Sequence, residues 1–189
     1  MTRILLTSAL LLSLAGTARA DKPALDEVVG GAKTFVGTVQ DGSLKKAARI
    51  KALTAQLGPK LLFTDAFFWG GAGEEPNASC EEKFDHVKAK QAVISGARLK
   101  ALIKCLSVAE LPEVRNTFDS AKWQEADVTK LPASLQPFSK ELQKRAATHT
   151  FAIAEVAMDD AKTFWLIGGT KDKAGKLKLD AFMNPGSYP

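Results

Sequence analysis

Three β-strand patterns follow one another near the C-terminal end of the chain, and this feature constrains the fold most strongly. Strand-forming residues occupy 148–158 and 162–169, and the intervening residues 159–161 form the turn of a hairpin. A further turn that contains Gly175 leads to a third strand at 177–182. Connections this short join antiparallel strands. The sequence therefore predicts an antiparallel meander of three strands.

The early part of the sequence predicts a pair of helices. Apolar residues recur at intervals of three and four between residues 23 and 40, as on the buried stripe of an amphipathic helix. A second such pattern follows Ser43, a favoured N-cap residue, and ends at Gly58 and Pro59. These signals predict a helical hairpin in which each helix buries one face.

The middle of the chain carries shorter signals. Residues 61–69 are apolar and rich in aromatic side chains, and they are predicted to form a strand. A capped helix is predicted to begin at Ser95, and residues 134–147 have the periodicity of another helix. Between these helices, residues 111–132 indicate only a strand at 123–128. The chain is therefore predicted to have an α+β fold.

The first 20 residues have the organisation of a secretory signal peptide. Arg3 precedes an apolar run at 4–14, and residues 18–20 form a cleavage site with alanine at its first and last positions. The run is shorter than the roughly 20 residues that span a bilayer as a helix. No cysteine offers a lipoprotein attachment point near the cleavage site. The sequence predicts a secreted or periplasmic protein without a membrane anchor, in which residues 21–189 form a single domain.

The charge of the mature chain argues against nucleic acid as a partner. Of the 26 basic residues, Arg3 and Arg19 leave with the signal peptide, so 24 basic and 21 acidic residues remain, a net charge of +3. The lysines alternate with apolar positions or lie in turns, without the dense basic clusters of a phosphate-binding surface. We therefore expect no nucleic acid partner.

Cys80 and Cys105 are the two cysteines of the sequence. In an oxidising compartment, an even pair most simply forms a disulfide. A redox role favours cysteines spaced as C-x-x-C, and a metal site needs more ligands than two thiolates and two distant histidines. The sequence therefore predicts a disulfide between Cys80 and Cys105, no metal and no cofactor.

The order of elements and two motifs carry a family resemblance. The motifs are FFWGG at 67–71 and ISGARLKALI at 94–103. Together with the terminal hairpin, they resemble the NTF2-like (SnoaL-like) cone-fold superfamily over most of residues 23–183. The resemblance implies N-terminal helices packed on a curved antiparallel sheet, with an apolar pocket at the open end of the cone. Members serve as enzymes, as ligand-binding domains or as dimerising scaffolds, so this fold leaves the function open.

Asp65 is the residue that most suggests catalysis. In a strand at 61–69, its side chain shares a face with Phe63, Phe67 and Trp69. A carboxylate among aromatic side chains is a suitable setting for a general acid or base. The alternatives are that the Asp65 carboxylate bonds to nearby backbone N–H groups, that it lies at a bulge, or that it faces water.

His149 and Glu155 are the candidate partners of Asp65. Both fall on one face of the first meander strand, which places an imidazole and a second carboxylate on the same side of the sheet. The alternatives are that His149, at the start of its strand, is exposed or bonded to the backbone, and that Glu155 pairs across the sheet with Lys162 or Lys178.

These observations favour a non-catalytic domain that binds a small apolar ligand or another protein. The residues predicted to line its pocket are Phe63, Phe67, Trp69, Phe151 and Trp165. Two other functions stay open. One is a cofactor-independent lyase, isomerase or hydrolase in which Asp65 is the general base and His149 or Glu155 assists. The other is a structural module that forms a homodimer through its sheet.

Overall fold

The computed structural model of the protein describes residues 22–64, 80, 83–84, 92–109, 112–158 and 161–185. These residues form an α+β fold, as predicted. In chain order the elements are α1 (Leu25–Gln40), α2 (Lys46–Gln56), β1 (Leu57–Phe63), β2 (Val93–Ser95), α3 (Gly96–Leu106), α4 (Pro112–Ser120), β3 (Gln124–Glu125), a 3₁₀-helix (Ala133–Phe138), α5 (Ser139–Arg145), β4 (Thr150–Met158), β5 (Ala161–Lys171) and β6 (Leu177–Met183). The predicted signal peptide lies outside the described residues. None of the described helices has the length and apolar composition needed to cross a bilayer.

The described strands form one mixed sheet in the order β2-β1-β6-β5-β4-β3. Strands β4, β5 and β6 are antiparallel neighbours, which confirms the predicted meander. Strand β1, however, lies parallel to β6, with Leu62 beside Ala181. The prediction of a purely antiparallel sheet is therefore wrong. A parallel pair needs a long crossover, and the chain between β1 and β6 provides it, so no short-range turn signal reveals the pairing.

Helix α1 covers one face of the sheet. Its buried stripe matches the predicted one and consists of Val28, Ala32, Phe35, Val36 and Val39. The rings of Phe35 and Phe182, a buried residue of β6, have centroids 4.8 Å apart. Burial of each large apolar side chain contributes roughly 1.5–3 kcal/mol. Packing against the meander, more than helix propensity, therefore stabilises α1.

The opposite face of the sheet is covered by the 3₁₀-helix and α5. Leu135 and Leu142 from these helices pack in one buried cluster with Phe151, Ile153 and Leu166 from β4 and β5. Successive side chains of a strand point to opposite faces, so the residues of the meander alternate between this core and the core beneath α1. The chain itself thus covers both faces of the meander.

The boundary between α2 and β1 differs from the prediction. Gly58 and Pro59 are predicted to end a helix, but both lie within β1, which covers Leu57–Phe63. Pro59 is tolerated there because the pairing of β1 with β6 is irregular at this point, and an interrupted ladder does not need its N–H group. The later part of the predicted strand, 65–69, lies outside the described residues.

The start of α2 also differs, because Ser43 lies in a turn and not at the N-cap. The backbone N–H and the hydroxyl of Ser43 donate to Asp41 Oδ1, at 2.9 and 2.5 Å, and α2 begins at Lys46. The side-chain hydrogen bond and then the backbone one lower the pKa of Asp41. The turn therefore stabilises the fold above the usual carboxyl pKa, and this contribution is lost as the pH falls through the lowered value.

The segment between α3 and the 3₁₀-helix contains a helix that the sequence does not predict. Helix α4 (Pro112–Ser120) is anchored by Val114 and Phe118, which are buried and one turn apart. The ring of Phe118 lies edge-on to that of Trp165, with centroids 5.3 Å apart. Two anchors are too few to produce a clear helical period, so a tertiary contact decides this element. The strand predicted nearby is present only as the two residues of β3.

The predicted helix at 134–147 is present in two pieces. Residues Ala133–Phe138 form the 3₁₀-helix and Ser139–Arg145 form α5. Pro137 lies inside the first piece, where its missing N–H group and its ring disfavour a continuous α-helix. The short 3₁₀ segment lets the chain pass this residue before α5 begins.

Gly168 on β5 is expected not to tolerate a side chain. It lies opposite Phe151 on β4, and an added methyl group would lie 2.5 Å from Phe151 Cδ1 and 3.1 Å from Ala181 Cβ. Overpacking of this kind is expected to lower the free energy of unfolding of Gly168→Ala by about 1–3 kcal/mol, measured by urea denaturation. Gly30→Ala in α1 is the control. Its methyl group would meet nothing within 4 Å, and alanine in a helix is favoured over glycine by about 0.5–1 kcal/mol. Unchanged stability of Gly168→Ala would show that the core can yield at this point.

Candidate functional site

Two of the three predicted catalytic residues lie in the described part of the chain, and they are far apart. His149 and Glu155 are separated by six residues along an extended strand, a distance of about 20 Å. Glu155 is exposed and lies in register with Phe164 of β5, whereas the His149 side chain is only 13% exposed. Asp65 lies outside the described residues. The two side chains therefore do not form one site with each other.

The predicted pocket residues divide between the two faces of the sheet. Phe63 and Trp165 are buried in the core beneath α1, whereas Phe151 is buried in the core beneath α5. Because the sheet separates them, Phe151 cannot line the same pocket as Phe63 and Trp165. Phe67 and Trp69 lie outside the described residues.

His149 lies in a cluster of charged side chains, three of which are largely buried. The Nε2 atom of His149 is hydrogen-bonded to Asp180 Oδ2, and Arg145 Nη1 lies 3.9 Å from the same oxygen. The side chains of Arg145 and Asp180 are 10% and 6% exposed. Glu141, one turn before Arg145 on α5, accepts from the Arg145 Nε and Nη2 atoms at 3.3 and 3.2 Å. We call these four residues, Glu141, Arg145, His149 and Asp180, the Arg145 cluster.

Arg145 also joins β1 to β6. Its Nη1 atom donates to the backbone carbonyl groups of Lys60 and Asp180, both at 3.2 Å. Here β1 has four residues, 58–61, where β6 has only Asp180, so the regular ladder is interrupted. Carbonyl groups without a ladder partner need other donors, and the guanidinium supplies them at this irregularity. The Arg145 cluster therefore acts as a clasp between the two parallel strands.

Both ring nitrogens of His149 take part in hydrogen bonds. The Nδ1 atom lies 3.0 Å from the Arg145 carbonyl oxygen and 2.8 Å from Thr148 Oγ1. A carbonyl only accepts, so a doubly protonated ring donates to it, whereas a neutral ring can accept at Nδ1 from the Thr148 hydroxyl. In both states, Nε2–H can donate to Asp180. A general base needs a free lone pair directed at its substrate, so these bonds favour a structural role for His149.

The sequence patterns did not single out Arg145 or Asp180, although their side chains lie close together in the Arg145 cluster. Asp180 carries the same signal that draws attention to Asp65, an acidic residue within an apolar strand, where aspartate is uncommon. Arg145 has no such signal, because a basic residue near the end of a helix ordinarily stays solvated and complements the helix dipole. Only the tertiary structure brings the two together.

Buried polar groups also join the ends of β1, β5 and β6. Thr64 Oγ1 donates to the Asn184 carbonyl oxygen at 2.8 Å and accepts from the Asn184 N–H group at 2.7 Å. Thr163 Oγ1 donates to Asn184 Oδ1 at 2.8 Å. All three residues are buried. Since these polar groups bond to one another, the network reads as structural and not as a ligand site.

A surface groove lies beside the disulfide. Helix α3 begins at Gly96, directly after Ser95 as predicted, and buries Leu102, Ile103 and Leu106. Cys105 on the same helix forms the predicted disulfide with Cys80, with Cα atoms 5.8 Å apart. The space between the outer side of α3 and the residues Cys80 and Lys83 is a groove of about 580 Å³. We call it the disulfide groove.

The lining of the disulfide groove combines apolar surface with positive charge. Its apolar part consists of the two cysteines with Ala97, Ala101 and Val108. Its charged part consists of Lys83, Lys100 and Lys104. Val108 is 43% exposed, and the three lysines are exposed and have no ion-pair partner in the part of the chain that the structure describes. The groove therefore offers an apolar contact bordered by ammonium groups.

Comparison with known proteins finds no relative. No family model, no curated protein and no solved structure matches the chain. The geometry of the described residues is therefore the basis for a functional proposal.

Proposed function

We propose that the chain is an exported, non-catalytic binding domain whose ligand occupies the disulfide groove. The observation that carries this proposal is the lining of the groove, in which the disulfide, two alanines and the exposed Val108 form an apolar surface. Its volume of about 580 Å³ falls within the usual range for small-molecule sites, which are concave and mostly apolar. A small ligand with an apolar part fits this surface best.

Export is supported by two observations that agree. Disulfides persist in oxidising compartments and are rare in reducing ones, and Cys80 is bonded to Cys105. The pattern at 1–20 is typical of a secretory signal peptide. A domain delivered to a secreted or periplasmic location fits both.

We also propose an NTF2-like architecture for the domain. In its favour, two helices precede β1, α3 begins at the ISGARLKALI motif, and α1 packs on β4, β5 and β6. The binding site proposed here differs from the one that the resemblance implies. The aromatic residues Phe63 and Trp165 are packed in the core beneath α1, so the disulfide groove replaces them as the site.

Binding is favoured over catalysis by the side chains available. Among the described residues, the groove lining contains no carboxylate and no imidazole, and acid–base catalysis commonly depends on such groups. His149, the imidazole that the sequence singles out, is hydrogen-bonded within the Arg145 cluster. A groove of lysines and apolar groups is better suited to holding a ligand than to transferring its protons.

Filling the groove is expected to weaken binding of an uncharged apolar probe. Ala101 lies in the groove lining, and an indole at this position would occupy the space beside the disulfide. The probe is N-phenyl-1-naphthylamine, whose fluorescence rises in apolar surroundings. Titration of Ala101→Trp is expected to show an affinity lower by about tenfold or more than that of the unchanged protein, equivalent to about 1.4 kcal/mol.

Ala48→Trp is the matched control for this experiment. Ala48 is an exposed alanine on α2 and does not line the groove, so the same substitution there is expected to leave the probe affinity unchanged. The proposed function is wrong if the unchanged protein does not bind the probe, or if Ala101→Trp binds it as tightly as Ala48→Trp does.

A further inference from the structure

We infer that the ligand of the disulfide groove is a free, small amphiphile with an anionic head group and an apolar chain. The inference rests on the proposed function and adds the charge and the source of the ligand. The head group belongs to the class of carboxylates, sulfates and phosphate monoesters. The apolar chain is the part that contacts the disulfide side of the groove.

Two lysines of α3 favour an anionic ligand. Lys100 and Lys104 are one helical turn apart on the exposed side of the helix, which corresponds to about 6 Å along its axis. Like charges at this spacing repel and destabilise a helix. A bound anion relieves this repulsion and accepts charge-assisted hydrogen bonds from the ammonium groups. Lys83, which also lines the groove, adds a third positive charge.

An apolar strip beside the lysines favours a ligand with an alkyl chain. Ala97 and Ala101 are one turn apart on α3, and Val108 follows just after the helix. At the rise of an α-helix, the strip from Ala97 to Val108 extends about 16 Å. Because alanine side chains are small, they leave space for an alkyl chain along this strip. Lys100 and Lys104 lie between Ala97 and Val108 along the helix axis, so their ammonium groups border the strip along its length. A ligand that carries both an anionic group and an alkyl chain can then contact the ammonium groups and the apolar surface together.

The dimensions of the groove favour a free molecule over a membrane surface. Recognition of an anionic membrane typically involves clusters of four to eight basic residues or an amphipathic helix that presents a broad apolar face. The disulfide groove instead has three lysines around a concave surface. The volume of the groove, about 580 Å³, suits a single small molecule.

Because acidic residues are close to Lys83 in the sequence, the experiment must determine which ligand charge the groove prefers. Glu81, Glu82 and Asp85 are close neighbours of Lys83 along the chain and lie outside the described residues. An experiment with anionic, neutral and cationic probes of one chain length shows directly which ligand charge the groove prefers.

The test is displacement of N-phenyl-1-naphthylamine from the full-length mature protein near neutral pH. The three competitors are decanoate, decan-1-ol and decyltrimethylammonium, each below the concentration at which it forms micelles. Decanoate is expected to displace the fluorophore at a concentration lower by about tenfold than decan-1-ol. Decyltrimethylammonium is expected to be the weakest of the three.

Substitution of the lysines is expected to remove this preference. In Lys100→Gln/Lys104→Gln, decanoate and decan-1-ol are expected to compete within about twofold of each other, with the affinity for decan-1-ol kept. Lys46→Gln/Lys51→Gln changes the net charge equally at exposed positions of α2 and is expected to retain the preference for decanoate.

The outcomes separate this inference from the proposed function. If the fluorophore binds in the groove but the three competitors are equal, or the cation competes best, the anionic ligand is wrong and the binding function stands. If the fluorophore does not bind, or Ala101→Trp has no effect, the proposed function itself is wrong. Binding to vesicles of anionic phospholipid without displacement by decanoate would overturn the choice of a free molecule.

Discussion

Replacement of Arg145 by alanine is expected to lower the free energy of unfolding by about 3–5 kcal/mol. The Arg145 side chain is largely buried and faces Glu141 and the buried Asp180. Alanine leaves the Asp180 carboxylate with His149 as its remaining partner in the cluster. It also removes the donor to the carbonyl groups of Lys60 and Asp180. A buried charge that loses its partner is far more costly than a broken ion pair in water.

The measurement is urea denaturation followed by circular dichroism, with Arg115→Ala as the matched control. Arg115 pairs with Asp119 one turn away on α4, but these two side chains are 60% and 58% exposed. Its replacement is expected to cost less than about 1 kcal/mol. If Arg145→Ala costs no more than Arg115→Ala, the Arg145 cluster does not act as a clasp.

Arg145→Lys keeps the test decisive if the alanine variant does not fold. Lysine preserves the charge but not the planar fork that reaches Glu141, Asp180 and the two carbonyl groups together. The free energy of unfolding of Arg145→Lys is expected to be measurably lower than that of the unchanged protein. A double-mutant cycle of Arg145→Met with Asp180→Asn isolates the interaction between the two residues, and a coupling energy of about 0.5–3 kcal/mol is expected.

Removal of the disulfide in Cys80→Ser/Cys105→Ser is expected to lower the free energy of unfolding by about 3–4 kcal/mol. The bond closes a loop of 25 residues, and on the chain-entropy model a loop of this size restricts the unfolded chain by about that amount. Cys80 is also packed in the core beneath α1 with Phe84 and Leu102. The loss is measured by urea denaturation of the double-serine variant.

Reduction of the unchanged protein is the control for the disulfide variant. A thiol reductant is expected to lower the stability of the unchanged protein by a similar amount and to leave the double-serine variant unaffected. Affinity for N-phenyl-1-naphthylamine is expected to fall in parallel, because Cys80 and Lys83 are no longer tied to α3 at Cys105. A stability loss below about 1 kcal/mol would show that other contacts hold the loop in place.

Local sequence signals correctly predicted the elements whose evidence is local. The stripe of α1 and the start of α3 follow from spacings of three and four. The meander follows from closely spaced strand and turn signals. The disulfide follows from the presence of two cysteines in a chain with a signal-peptide pattern.

The candidate sites were harder to predict, because they depend on which distant residues meet. Alternation along the predicted strand correctly places His149 beside Phe151 on one face, but it does not show that Trp165 of β5 belongs to the other face. That assignment depends on cross-strand register, which a shift of one residue reverses. The disulfide groove was missed as well, since lysines on a helix are ordinarily solvated.

The sequence by itself determined the helical and strand periodicities and the cysteine pair, because each is set by residue spacing or by residue type. Only the tertiary structure decided that β1 runs parallel to β6, that Arg145 lies against Asp180, and that three lysines border one apolar groove. These features join segments far apart along the chain. Their free energy comes from burial and from charge pairing, which have no period to read in the sequence.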